Sequence, residues 1–135
     1  MIDPAIVHFA NDAFYLAFNN RDFNAMDNLW SRFTPPVCIH PGWTALFNRN
    51  EIMESWRDIF TNQEPEFRIH CHEPTVLFQQ DVMSVICFEQ LPQGWLVATN
   101  NFVMEDGEPR LIHHQGSPIA SPPDAPNQPP PRNLQ

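Results

Sequence analysis

The sequence predicts an α+β chain with its helices gathered on one face of a curved sheet. Three observations predict it. Three separate stretches in the first sixty residues carry apolar side chains at helical spacing. After Thr61 the apolar period changes to two. Asp106-Gly107 then marks a two-residue hairpin between the last two alternating runs.

The first helix starts at Asp3, a capping residue, with Pro4 at the first helical position. Ile6, Phe9, Ala10, Ala13, Phe14 and Ala17 follow as its apolar face, and it should fade near Asn19-Asn20. A short second helix follows Asp22, with Ala25, Met26 and Leu29 on one side. VCIHPGWTALF (37–47) reads as two short strands around the turn chemistry of Pro41-Gly42. Asn48 and Glu51 form a capping pattern for a third helix, whose face is Ile52, Met53, Trp56, Ile59 and Phe60.

Phe67, Ile69 and Cys71 then alternate with Arg68, His70 and His72, and Pro74 marks a bulge or break in that long strand. Gln80-Asp81 is a turn, and Val82 to Gln90, apolar on both faces, reads as a central strand. Trp95 to Glu105 and Glu108 to Ser117 complete the sheet. The total is about six strands and three helices. The last eighteen residues, 118–135, hold seven of the fifteen prolines and few large apolar side chains. They cannot bury enough surface to offset their ordering entropy. The chain therefore divides into a domain at 1–117 and a proline-rich extended tail at 118–135.

Composition narrows the function. The chain has 135 residues, a net charge of −9 and only 7 Lys+Arg, so no basic stripe exists for phosphates. Nucleic acid and anionic membrane surfaces are excluded as expected partners. No apolar run reaches membrane-spanning length, and the N-terminal stretch lacks the basic start of a signal peptide. Cys38, Cys71 and Cys87 are odd in number, widely spaced and set in apolar stretches, as expected of reduced thiols in a cytoplasmic protein.

The segments ANDAFYLAFNNRDFNAMDNLW, CIHPGWTALFNRNEIMESWRDIF and ATNNFVMEDGEPRLIHHQGSP span most of residues 10–118. In this order they resemble the nuclear transport factor 2-like superfamily, and within it the SnoaL-like branch. The resemblance implies a cone-shaped half-barrel with a pocket opening among the helices, often dimerised through the sheets. Enzymes with this fold, such as ketosteroid isomerase, limonene epoxide hydrolase, scytalone dehydratase and polyketide cyclases, work without metal or organic cofactor. They use pocket carboxylates or histidines as acid and base. This chain departs from them in having no Asp inside a strand. Glu89 and Glu105 lie near strand ends, and Asp81 and Asp106 sit in turns, which argues against carboxylate-driven enolisation. Similar sequences often end their last strand in three histidines, where this chain has His113, His114 and Gln115.

Imidazoles are thus the first candidates for chemistry. His40 stands at a strand end before Pro41-Gly42-Trp43, either at a cavity rim or as a structural residue fixing the turn. His113 and His114 are adjacent and must face opposite sides of a strand. Alternation groups Leu111, His113 and Gln115, so His113 is read as the inward one and paired with His40 as acid and base. His114 and Asn100 are read as ligand-contacting polar groups, and Phe18, Trp30, Trp43 and Trp56 as apolar wall or core. His70-x-His72 and Cys38-x-His40 lack a local third ligand, so no metal site is expected. The expected function is binding of a small apolar molecule, with any catalysis a cofactor-free isomerisation, hydrolysis or cyclisation by histidines. Two alternatives are a non-catalytic homodimer or interaction module using the tail, and a domain whose pocket has decayed.

Overall fold

The computed structural model describes residues 2–123 of the chain. Most of the proline-rich stretch, 124–135, lies outside the described residues. In chain order the elements are α1 (Pro4–Asn19), α2 (Phe23–Leu29), β1 (Val37–Ile39), α3 (Arg49–Asn62), β2 (His70–Gln79), β3 (Val82–Leu91), β4 (Gly94–Glu105) and β5 (Glu108–Pro118). Among the described residues the strands form one mixed sheet in the order β1-β5-β4-β3-β2. β1 runs parallel to β5, and the other neighbours are antiparallel.

Each helix begins where its cap predicts. The Asp3, Asp22 and Asn48 side chains accept from the backbone N–H of Ala5, Ala25 and Glu51. The face of α1 differs from the expected one. Val7, Ala10, Asn11, Phe14, Tyr15, Ala17 and Phe18 are buried, whereas Ile6 and Phe9 are exposed. The stripe is rotated because Asn11 and Tyr15 find polar partners inside the sheet. α1 packs against both β2 near one edge and β5 toward the other, so the sheet curls around it. Among the described residues no helix is long and apolar enough to cross a membrane.

The strand pair expected at 37–47 is a single strand. Cys38 exchanges both backbone hydrogen bonds with Leu46, while its neighbours Val37 and Ile39 register with β5. Trp43–Phe47 contributes only that bridge, which leaves five strands among the described residues. The His40–Trp43 turn is closed by the Trp43 N–H to the His40 carbonyl at 2.9 Å, with Gly42 at φ +83°. Pro41 then Gly42 is the chemistry of a type II turn. Asp106 and Gly107 both have positive φ, as the tight β4–β5 hairpin requires.

Two bulges shape the sheet. One falls at Glu73-Pro74, where β2 spends three steps against two on β3. The other falls at Ile112. Asn101 pairs with His113, but the next residue, Phe102, pairs with Leu111. The extra residue reverses the inward parity of β5. Leu111 is fully buried, yet beyond the bulge it is His114 and Gly116 that face inward, and His113 is half-buried on the other face. The expectation that His113 points inward is therefore corrected to His114.

Candidate functional site

A cavity of about 340 Å³ opens at the end of the sheet where β4 begins. Phe18 of α1, Trp56 and Ile59 of α3, and Leu96 of β4 form its apolar wall. Phe67 and Ile69, which precede β2, extend that wall, and Pro41 and Trp43 of the turn after β1 stand at its rim. Its polar lining is His40, His114 and Glu89, with Gln63 and Gln93. Among the described residues no Lys or Arg lines it.

Of the residues singled out in the sequence, the structure brings Phe18, His40, Trp43, Trp56 and His114 to this cavity. Trp56 is the hub, with ring centroids 4.7 Å from His40 and 6.3 Å from His114. Asn100 lies beneath the lining, fully buried, and bonds His114. Trp30 does not reach the cavity. It is fully buried in the core and bridges to Leu111. His113 lies on the outer face of the sheet.

The sequence reading missed Glu89, Tyr15 and Asn11. Glu89 lies near the end of β3, as expected, but it is only 2% exposed and is the fourth inward position of the strand, after Met83, Val85 and Cys87. That alternation was the available signal.

These groups form one directed chain of hydrogen bonds. Asn100 Oδ1 can only accept, so the His114 Nδ1–H donates to it at 2.5 Å, and the Nε2 lone pair is left free. The Asn100 Nδ2–H₂ donates to Asn11 Oδ1 at 2.8 Å and to the Tyr15 hydroxyl at 3.1 Å. Tyr15 spends its proton on Glu89 Oε2 at 2.6 Å, and its oxygen lies 3.2 Å from Cys87 Sγ. Among the described residues Glu89 Oε1 has no hydrogen-bond partner.

His40 is held differently. Ser55 Oγ donates to the Ile52 carbonyl at 2.6 Å, so it accepts from the His40 Nε2–H at 2.8 Å. The ring ties the turn after β1 to α3, and its Nδ1 sits 3.9 Å from Cys38 Sγ.

Burial sets the protonation states. It lowers His40 to about 4. It lowers His114 to about 3, helped by repulsion from His40 and His113. Both rings are neutral at pH 7. Burial raises the Glu89 carboxyl to about 7, against the opposing pull of the Tyr15 hydrogen bond. Burial, then the Glu89 charge, raises the Tyr15 phenol well above its ordinary range. The cavity therefore holds one group that both binds and releases a proton near neutrality. Trp56 Nε1–H and Trp30 Nε1–H are buried without a partner among the described residues. Among the same residues no group of three or more His, Cys, Asp or Glu side chains could hold a metal ion.

Comparisons with known proteins agree with this architecture. The family model of the SnoaL-like domain matches residues 7–121. A candidate dehydratase of the NTF2-like family from Streptomyces avermitilis superposes with a TM-score of 0.79 and 26% identity, covering 87% of this chain and 96% of that one. A candidate calcium/calmodulin-dependent protein kinase type II association domain from Thiobacillus denitrificans superposes with a TM-score of 0.73 and 30% identity, covering 82% and 92%. The F-box protein SKIP8 of Arabidopsis thaliana is 25% identical over 108 residues, 79% of this chain. This chain spans about half of that relative's length, 47%. With the family model covering the helices, the whole sheet and every residue of the cavity, the chain belongs to the SnoaL-like domain family of the NTF2-like superfamily.

Proposed function

We propose that this domain binds a small, mostly apolar molecule in the cavity beneath Trp56 and exchanges a proton with it through Glu89. One observation carries the reading. A buried carboxyl near its titration midpoint at pH 7 stands on a cavity wall, oriented by Tyr15 and linked through Asn100 to His114. Isomerisation, hydrolysis, cyclisation, or the dehydration that names the Streptomyces neighbour, each call for one group that takes and gives a proton. Glu89 supplies that group, and His114, neutral at pH 7, lines the same cavity. This replaces the His40–His113 pair, because His113 faces away and His40 is committed to Ser55.

The test is ligand binding read by Trp43 and Trp56 fluorescence, with native mass spectrometry of the protein as purified. An Ile69→Trp variant should fill the cavity and abolish binding while the fold is retained. Binding unchanged in that variant would place the ligand elsewhere.

A second reading is an association module that dimerises through the sheet. Outward-facing Ile86, Phe88, Val97, Val103 and Ile112 support it, being apolar and only half-buried in the single chain. So does the likeness to an association domain. Sedimentation of a Val97→Arg variant tests it: a dimer should become a monomer. Removal of residues 124–135 tests separately whether the proline-rich end recruits a partner.

A further inference from the structure

We infer that the ligand of this cavity carries a basic nitrogen, so that it binds as an ammonium ion paired with Glu89 among the aromatic rings. The inference rests on the reading of the cavity as a ligand site and specifies what that site accepts.

The cavity offers neutral donors, Trp56 Nε1–H and the Gln63 and Gln93 amides, but its one ionisable group near neutrality is an acid. Among the described residues Glu89 Oε1 has no partner, and His114 Nε2 is an acceptor because Asn100 takes the other nitrogen's proton. A ligand meeting both must bring hydrogen-bond donors. The charge is lopsided. Among the described residues no Lys or Arg lines the cavity, and neither imidazole is charged at pH 7. An anionic ligand would sit beside a carboxyl with nothing to neutralise it. A cation gains the carboxylate and also a lining that includes the aromatic rings of Phe18, Trp43, Trp56 and Phe67.

The other titratable side chains around Glu89 do not supply that charge. They are Tyr15 on α1, Cys38 on β1, Cys71 on β2, Cys87 on its own strand, and the two histidines. None is a cation at neutral pH. In the empty cavity Glu89 is therefore free to take up a proton as pH falls through 7, and a bound ammonium holds it ionised. Below pH 7 amine binding releases that proton.

The experiment is isothermal titration calorimetry of the full chain with matched probes on two scaffolds. These are phenethylamine with 2-phenylethanol and phenylacetate, and tryptamine with tryptophol and indole-3-acetate. The amine should bind at least ten-fold tighter than the alcohol at pH 8, and the acid weakest. The amine's advantage should shrink at pH 6, with proton release seen in buffers of different ionisation enthalpy. Glu89→Gln should bring amine and alcohol within two-fold of each other, and Ile69→Trp should abolish both. Alcohols binding as well as amines would overturn the ammonium assignment while leaving the cavity as a ligand site. Tighter binding of the acid, or no binding by any probe at millimolar concentration, would overturn it as well. An amine preference surviving in Glu89→Gln would remove Glu89 from it.

Discussion

The two ends of the sheet's inner face are made by the same strands and filled differently, although an open groove of about 540 Å³ runs between α1 and the β4–β5 hairpin outside the packed end. At the hairpin end, Met83, Phe102 and Leu111 pack solidly against Trp30, Met26 and Val7, all at most 1% exposed. At the other end, Leu96, Glu89 and His114 line a hollow closed by Phe18 and Trp56. Between them Asn100 and Asn11, both fully buried, carry hydrogen bonds from one wall to the other. The closed end stabilises the domain through dense apolar packing. The open end carries groups whose charge states burial has shifted, a cost that a purely structural core would avoid.

The largest expected effect is acidification, which acts most strongly on the open end. His40 and His114 titrate at about 4 and about 3 in the fold, against 6.5 for an ordinary imidazole. Their contribution to stability is fully present above pH 6.5 and is lost as pH falls through the folded values. It amounts to roughly 3–5 kcal/mol for each ring. Glu89 acts in the opposite direction between 4.5 and 7, so two protons oppose one and the net change on acidification is destabilising. Urea denaturation at pH 7 and pH 4 should show it, and His114→Gln should flatten the slope.

Next comes the closed end. Trp30→Ala should cost about 3–5 kcal/mol, as large-to-small changes do in packed cores. Thermal unfolding should show a pH-independent loss, with ligand affinity of the folded fraction unchanged. A pH-dependent loss would mean that the two ends are not separate.

Glu89→Gln is the next step down and has the opposite sign. Glu89 titrates at about 7 in the fold against 4.5 for an ordinary carboxyl. Its contribution is fully present below pH 4.5 and is lost as pH rises through 7. The glutamine variant should match the parent at pH 4 and exceed it by about 3 kcal/mol at pH 8. The smallest effect belongs to neither end. Asn48→Ala removes the α3 cap and should cost about 1 kcal/mol in chemical denaturation.

Local signals were far more legible in the sequence than the inner wall of the cavity. Caps at Asp3, Asp22 and Asn48, turn chemistry at Pro41-Gly42 and Asp106-Gly107, and the break at Pro74 each act through a few neighbouring residues. All six stand where the sequence put them. Inward His114 was not legible, because its orientation depends on the bulge at Ile112, an unremarkable residue whose effect is set by pairing with β4. Glu89 obeys the alternation of β3 and could have been found by counting inward from Met83. Asn11 and Tyr15 are harder. They look like the polar side of α1 until Asn100 and Glu89, more than seventy residues away, supply their partners. Trp30 and Trp56 are the same residue type with similar apolar neighbours in sequence. Only the tertiary fold puts one in the packed end and the other over the hollow.

The most direct test of the account is the titration of Glu89 itself. The side-chain carboxyl carbon can be followed by NMR from pH 4 to pH 9 in the ligand-free protein and assigned by its absence in Glu89→Gln. The account predicts a midpoint close to 7, moving down when an amine binds. A midpoint in the ordinary carboxylate range near 4.5, unmoved by any ligand, would contradict it.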